Sequence, residues 1–316
     1  MKLSEAIHRY VEWKRFCGRP FETGEKTLLG FLRFAGDIEL ADLSKRHVCS
    51  YVRIHERQLP RLRNKYYAIL ALFVRHWSLR GEIRAIRLPR PRAINRDVLL
   101  PHIYSRVQIR RLLNSIEFNQ QSLNCMLDGR TVRAFLLFLY GTGAYVGEAL
   151  RLKNSDVDLE LGTVKLRRIA GARERTLPLG RHLHQILRDY RSALPESYRA
   201  SEMFFVDKLG KRLNPNTVAK TYQKLRRRAN IYRTDGFRVQ PRLHDFRHTF
   251  AVHTLTTWLN QGKDLRRMLP ALSAYLGFVR FATAERYLRM IPERFRPQLK
   301  ALISPRIKGH SVSAYV

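Results

Sequence analysis

Acidic residues are scarce. The 316-residue chain sets 26 Asp+Glu against 60 Lys+Arg, a formal net charge of +34. A surplus that large resists compaction until a polyanion neutralises it. Nucleic acid is the expected partner, because Lys and Arg release the counterions condensed on phosphates. The cations run through folded-looking segments rather than along one amphipathic helix, which argues against a membrane surface. Cysteine is scarce too. Cys17, Cys49 and Cys125 are odd in number and widely spaced, which argues against a disulfide framework and a zinc site. No run of about 18 apolar residues occurs, so no membrane span is expected. The opening MKLSEAIHRYVEWKRF has no signal-type apolar core. A soluble protein of a reducing compartment fits these absences. Internal repeats and low-complexity tracts are also missing. What is present is ample apolar content, 45%, enough for packed cores. The length suits two ordinary domains or one large one.

Residues 1–88 read as a small all-helical, strongly basic bundle. SEAIHRYVEWKRF has apolar residues at helical spacing, with Ser4 as its N-cap. GEKTLLGFLRFAG, SKRHVCSYVRIHERQL and RLRNKYYAILALFVRHWSLRG supply three more helices. Residues 89–105, with three prolines, read as an extended linker. A second domain follows over 106–303, opened by a Ser-capped helix at SRVQIRRLLNSI. GRTVRAFLLFLYGTG reads as an apolar helix ending in glycines, and GEALRLKNSDVDL as another helix. GTVKLRRIAGARERTLPLG alternates like a β-hairpin turning near 170–172. The remainder is mostly helical. The fold class is therefore mainly α with a small β-hairpin.

The turn GTGAYVGEAL, 141–150, invites a phosphate-loop reading and fails it. No Gly-x-x-x-x-Gly-Lys-Ser/Thr is present, and GxGxxxG is one residue off the dinucleotide pattern and follows a helix. The stretch RLHDFRHTFAVHTL is more informative. His244 and Arg247 are three apart, hence on one face of a helical turn. An imidazole beside a guanidinium can grip the non-bridging oxygens of a phosphate. Tyr287, in the basic stretch LSAYLGFVRFATAERYLRM, carries a hydroxyl able to attack phosphorus and form a phosphotyrosine.

In this order, over about residues 1–303, these features resemble the tyrosine recombinases of the phage integrase family. The resemblance rests on the helical N-terminal segment, the linker, the apolar helix before GTG, the hairpin ending RERTLPLG, HDFRHTFA, and YLGF nine residues before Tyr287. It implies a two-domain C-shaped clamp on double-stranded DNA. Residues 1–88 would be the core-binding (SAM-like) domain and 106–303 the catalytic-type domain. The implied chemistry is strand cleavage through a 3′-phosphotyrosine and exchange through a Holliday junction, with no metal and no other cofactor. Implied partners are other tyrosine recombinases or further copies of the chain in a tetrameric synapse. The tail, 304–316, would then be a docking segment, and the location cytoplasmic, nucleoid-associated and bacterial in type.

Against the family pattern, three positions depart. Tyr145 stands where the first phosphate-holding arginine belongs, Ala170 at the lysine that protonates the leaving 5′-oxygen, and Phe278 at the supporting His or Trp. His244, Arg247 and Tyr287 remain. Losing one preorganised donor costs about 3 kcal/mol of transition-state stabilisation. A positioned general acid is worth about a further hundredfold. Tyr145 is neutral and lacks the guanidinium fork. Arg173 and Lys165 are candidate substitutes. Lys65 and Arg75, and in the second domain Lys220, Lys224 and Arg227, are candidate DNA contacts. Three functions stay open: a DNA-binding subunit with impaired cleavage working beside active recombinases on a mobile element, an active recombinase with an atypical site, and a DNA-binding regulator that shares only the fold.

Overall fold

The computed structural model describes residues 1–17, 21–55, 60–88, 100–120, 127–167, 173–235, 239–278, 282–297 and 299. The chain divides into two compact units, Met1–Val98 and Leu99–Val316.

The first unit holds α1 (Leu3–Phe16), α2 (Glu22–Ala35), α3 (Lys45–Ile54) and α4 (Pro60–Ser78). Leu3, Ala6, Ile7, Tyr10 and Val11 recur at helical spacing and are buried against Leu28, Phe31, Val48, Leu70, Phe73 and Trp77. Ser4 is not the N-cap. It lies inside α1, where its N–H and hydroxyl bind the Asp37 carboxylate at 2.8 and 2.9 Å. That pairing ties the start of α1 to the turn after Gly36, whose φ of 75° ends α2.

The second unit is built on α6 (Gly129–Thr142), which is buried nearly all round. Its neighbours are α5 (Arg106–Gln120), α8 (Arg181–Ser192) and α11 (Asp245–Asn260). Ser105 and Gln108 cap α5 reciprocally, at 3.0 and 3.1 Å. Asp128 caps α6 through the Arg130 N–H at 2.8 Å. Residues 100–105 do not behave as linker. Tyr104 is fully buried, stacks on Phe246 at 4.9 Å, and donates its N–H to Thr249 Oγ1 at 3.0 Å. Those residues therefore belong to the second unit, because an apolar ring outweighs the extended look of the stretch.

GEALRLKNSDVDL does not form the single helix its composition suggests. A one-turn α7 (Val146–Ala149) gives way to a 3-10 turn at Asn154–Asp156 and then to β1 (Val157–Asp158). Short polar side chains cause this. Asp156 accepts the Lys153 N–H at 3.1 Å, and Asp158 accepts those of Glu160 and Leu161 at 2.9 and 2.8 Å. The hairpin is present as β2 (Thr163–Leu166) paired antiparallel with β3 (Arg175–Pro178), and β1 adds a third strand. Val164 faces Leu177 across the pair, and both are buried. Then come α9 (Glu196–Arg199), α10 (Pro215–Arg228), α12 (Leu265–Leu276) and α13 (Ala282–Glu285). Gly277, at φ 69°, stops α12, so Tyr287 sits on a later 3-10 turn, Arg286–Met290, rather than on a continuous helix. The hairpin apex with Ala170, the third cysteine Cys125 and the tail 304–316 lie outside the described residues. Cys17 and Cys49 are free thiols.

Candidate active site

Four segments meet at Arg247: the turn after α6, the start of α11, the end of α12 and the 3-10 turn of Tyr287. Arg247 is 1% exposed. Its Nη1 donates to the Gly143 carbonyl and its Nη2 to the Leu276 carbonyl, both at 2.7 Å. Both acceptors belong to residues at helix C-termini, where carbonyls lack intrahelical partners. Aromatic rings flank the guanidinium, Tyr145 at 4.0 Å and Phe278 at 4.8 Å from their centroids. Gly143 is required at this turn. Its φ is 62°, and an added Cβ would meet Phe250 at 2.6 Å and Leu276 at 2.8 Å.

His244 stands at the N-terminal boundary of α11, and its ring stacks on Tyr145 at 5.3 Å and 17°. His248, one turn on, stands 5.0 Å from His244 and 5.5 Å from the ring of Tyr287. Its Nδ1 is buried without a hydrogen-bond partner. Phe278 lies 6.0 Å from Tyr287, which is 3% exposed. Burial sets the titration here. It pushes the Tyr287 phenol up to about 12, with Arg247 pulling the other way. It pushes His248 down to about 4, and His244 down as well, with Arg247 and Arg242 adding to the latter. At neutral pH the phenol is protonated and His248 is uncharged. Beside Arg247 lies an ion pair, Arg175 with Glu148 at 2.6 and 3.1 Å, whose side chains are 7% and 0% exposed.

Residues 107–294 match the profile of the phage integrase family. The chain belongs to the phage integrase family. Sinorhizobium fredii y4rB, named as an inferred integrase/recombinase, is 30% identical over 94% of this chain and 96% of its own length. Tyrosine recombinase XerA of Thermococcus kodakarensis is 26% identical over 96% of this chain and 89% of its own. The lambda integrase tetramer bound to a Holliday junction shares the fold, with TM-score 0.65 and 15% identity over 91% of this chain and 77% of that one.

Around Arg247 the structure brings His244, Tyr287, Tyr145 and Phe278 into one cluster. Arg173 and Lys165 do not join them. Lys165 pairs with Glu174 at 2.9 Å, each side chain about half exposed. Arg173 is exposed and contributes its backbone N–H to the Gly277 carbonyl at 3.1 Å. Lys220, Lys224 and Arg227 are exposed along one face of α10, and Lys65 and Arg75 are exposed on α4. Three groups escaped the sequence reading: His248, Arg175, and Glu148 as a charge partner. A strand signal existed for Arg175, since it lies two residues before the buried Leu177 and so on the inward face. Among the described residues no cluster of three His, Cys, Asp or Glu could hold a metal, and no helix is long and apolar enough to cross a membrane.

Proposed function

We propose that this chain is a DNA-binding recombinase subunit of a mobile element, with impaired strand cleavage of its own, working beside active recombinases. Site-specific recombination is the activity of the family to which it belongs. Relatives of the same fold are described as dimers on a core site and as a tetramer on a Holliday junction, and this chain is assigned the same kind of partners: double-stranded DNA and recombinase protomers. Its charge of +34 suits that partner.

One observation carries the impaired-cleavage reading. The arginine that remains, Arg247, commits one N–H of each terminal nitrogen to a backbone carbonyl and is covered by Tyr145 and Phe278. In-line phosphoryl transfer needs fixed positive charge at the equatorial phosphate oxygens. Here the position of the first phosphate-holding arginine is occupied by a phenol ring, Tyr145. A second reading, cleavage through Tyr287 at an atypical site, draws support from Tyr287 lying in the same cluster, with Arg247 favouring its phenolate.

The test is a covalent trap. Tagged protein is expressed in its host with its genomic neighbours present and purified both natively and after denaturation in SDS. The proposed function expects a defined DNA site in the native fraction, no DNA surviving denaturation, and no change with Tyr287→Phe. DNA attached after denaturation and lost in Tyr287→Phe would establish the second reading and overturn the first.

A further inference from the structure

We infer that Arg175 is a positioning residue of this site, holding the Tyr145 turn, the hairpin and the end of α12 in one arrangement around Arg247. The inference rests on reading the Arg247 cluster as the reaction site of the family. Arg175 opens β3, paired with Leu166. Strand alternation turns its side chain to the face of Leu177, which is inward. A guanidinium there must find acceptors, and it finds them on three segments. Nε donates to the Tyr275 carbonyl at 2.8 Å, near the end of α12. Nη1 and Nη2 donate to Glu148 at 2.6 and 3.1 Å, in α7. Nη1 also reaches the Arg173 carbonyl at 3.2 Å, within the hairpin.

Each of these anchors touches what surrounds Arg247. Glu148 accepts the backbone N–H of Tyr145 at 2.8 Å, which sets the ring that covers Arg247. Tyr275 precedes Leu276, whose carbonyl binds Arg247, and Phe278, its second aromatic wall. Gly277 completes the fit. A Cβ there would meet Arg175 Cδ and Nη1, each at 2.9 Å.

The charges are consistent with this role. Two buried arginines share one buried carboxylate, Glu148. Arg175 makes the direct pair with that carboxylate and leaves Arg247 hydrogen-bonded to neutral carbonyls. Without Arg175, Glu148 is a buried anion lacking its cation, and Arg247, a buried cation that already feels its charge, is drawn toward it. Arg247 would then leave its carbonyls and its place over Tyr145.

The guanidinium of Arg247 lies 4.0 Å from the Tyr145 centroid, so its Nε–H resonance carries a ring-current shift. Arginine-selective NMR of the full chain reads it, assigned by its loss in Arg247→Lys. Arg175→Met is expected to displace the resonance. Arg175→Met combined with Glu148→Gln is expected to return it toward wild type, because no carboxylate remains to draw Arg247 away. A role confined to packing would leave the double variant at least as disturbed as the single. Arg175→Lys keeps the charge opposite Glu148 and should hold the resonance near its original place, which serves if Arg175→Met does not fold. The inference is overturned if Arg175→Met leaves the resonance unmoved, if the double variant stays displaced, or if Arg175→Lys displaces it fully. No DNA enters the measurement, so its failure is separable from failure of the recombination reading, which the covalent trap decides.

Discussion

Arg247→Met removes a charge that the fold has made part of its framework, and the cost can be worked from the contacts. Two buried carbonyls, of Gly143 and Leu276, lose their donors. Each unsatisfied acceptor costs about 1–3 kcal/mol. The flanking rings of Tyr145 and Phe278 lose a cation worth about 1–2 kcal/mol. Opposing this, a guanidinium whose pKa burial already depresses no longer has to be desolvated, a relief of several kcal/mol. The net expectation is a loss of about 3 kcal/mol. For a unit of this size that lowers Tm by about 6–12 °C. Calorimetry of the full chain without DNA reads it, and Arg247→Lys should fall between Met and wild type, since an ammonium cannot span both carbonyls. An unchanged or raised Tm would refute the reasoning. It would mean that the guanidinium is loosely held and its charge a burden on the free protein, as expected of a residue kept for its ligand.

Three further outcomes follow from the same geometry. Lys224→Ala with Arg227→Ala, two exposed cations of α10, should weaken DNA binding and lower the salt slope by about 2, measured by fluorescence anisotropy across a salt series; an unchanged slope takes α10 out of the interface. Acid should destabilise the second unit: His248 takes a proton near pH 6.5 when unfolded but only near 4 when folded, so the unfolded state binds more protons between them. Stability is therefore full above about 6.5 and lost as pH falls toward 4, and His248→Gln should flatten a urea-midpoint profile over that window. Replacing Tyr145, Ala170 and Phe278 together by Arg, Lys and His should raise phosphotyrosine formation on a nicked DNA substrate from background, and a triple variant as inert as the parent would place the impairment elsewhere.

Much of this molecule is legible in the order of its residues. The apolar spacing of α1 and the uniformly apolar α6 mark helices because periodicity is a local property of the chain. Val164 and Leu177 mark paired strands for the same reason, and the spacing from HDFRH to Tyr287 marks the family. The acid deficit announces an anionic partner, since net charge does not depend on the fold. Local signals failed where a side chain answered to something distant. Tyr104 looks like linker until it is seen between Phe246 and Thr249. The helix expected after Ala149 yields to Asp156 and Asp158, which hydrogen-bond the backbone themselves. The substitution at Tyr145 could be read from a motif, but its ring over Arg247 could not, because that contact joins a turn to a helix whose hydrogen bond spans 104 residues. The pairing of Arg175 with Glu148 and Tyr275 has the same character, with 27 and 100 residues between the partners. Sequence by itself determined most of the helices, the hairpin, the charge and the family. Tertiary structure decided which charges are buried, which are paired and which ring covers the remaining arginine, because burial and pairing arise only where segments distant in the chain are brought together.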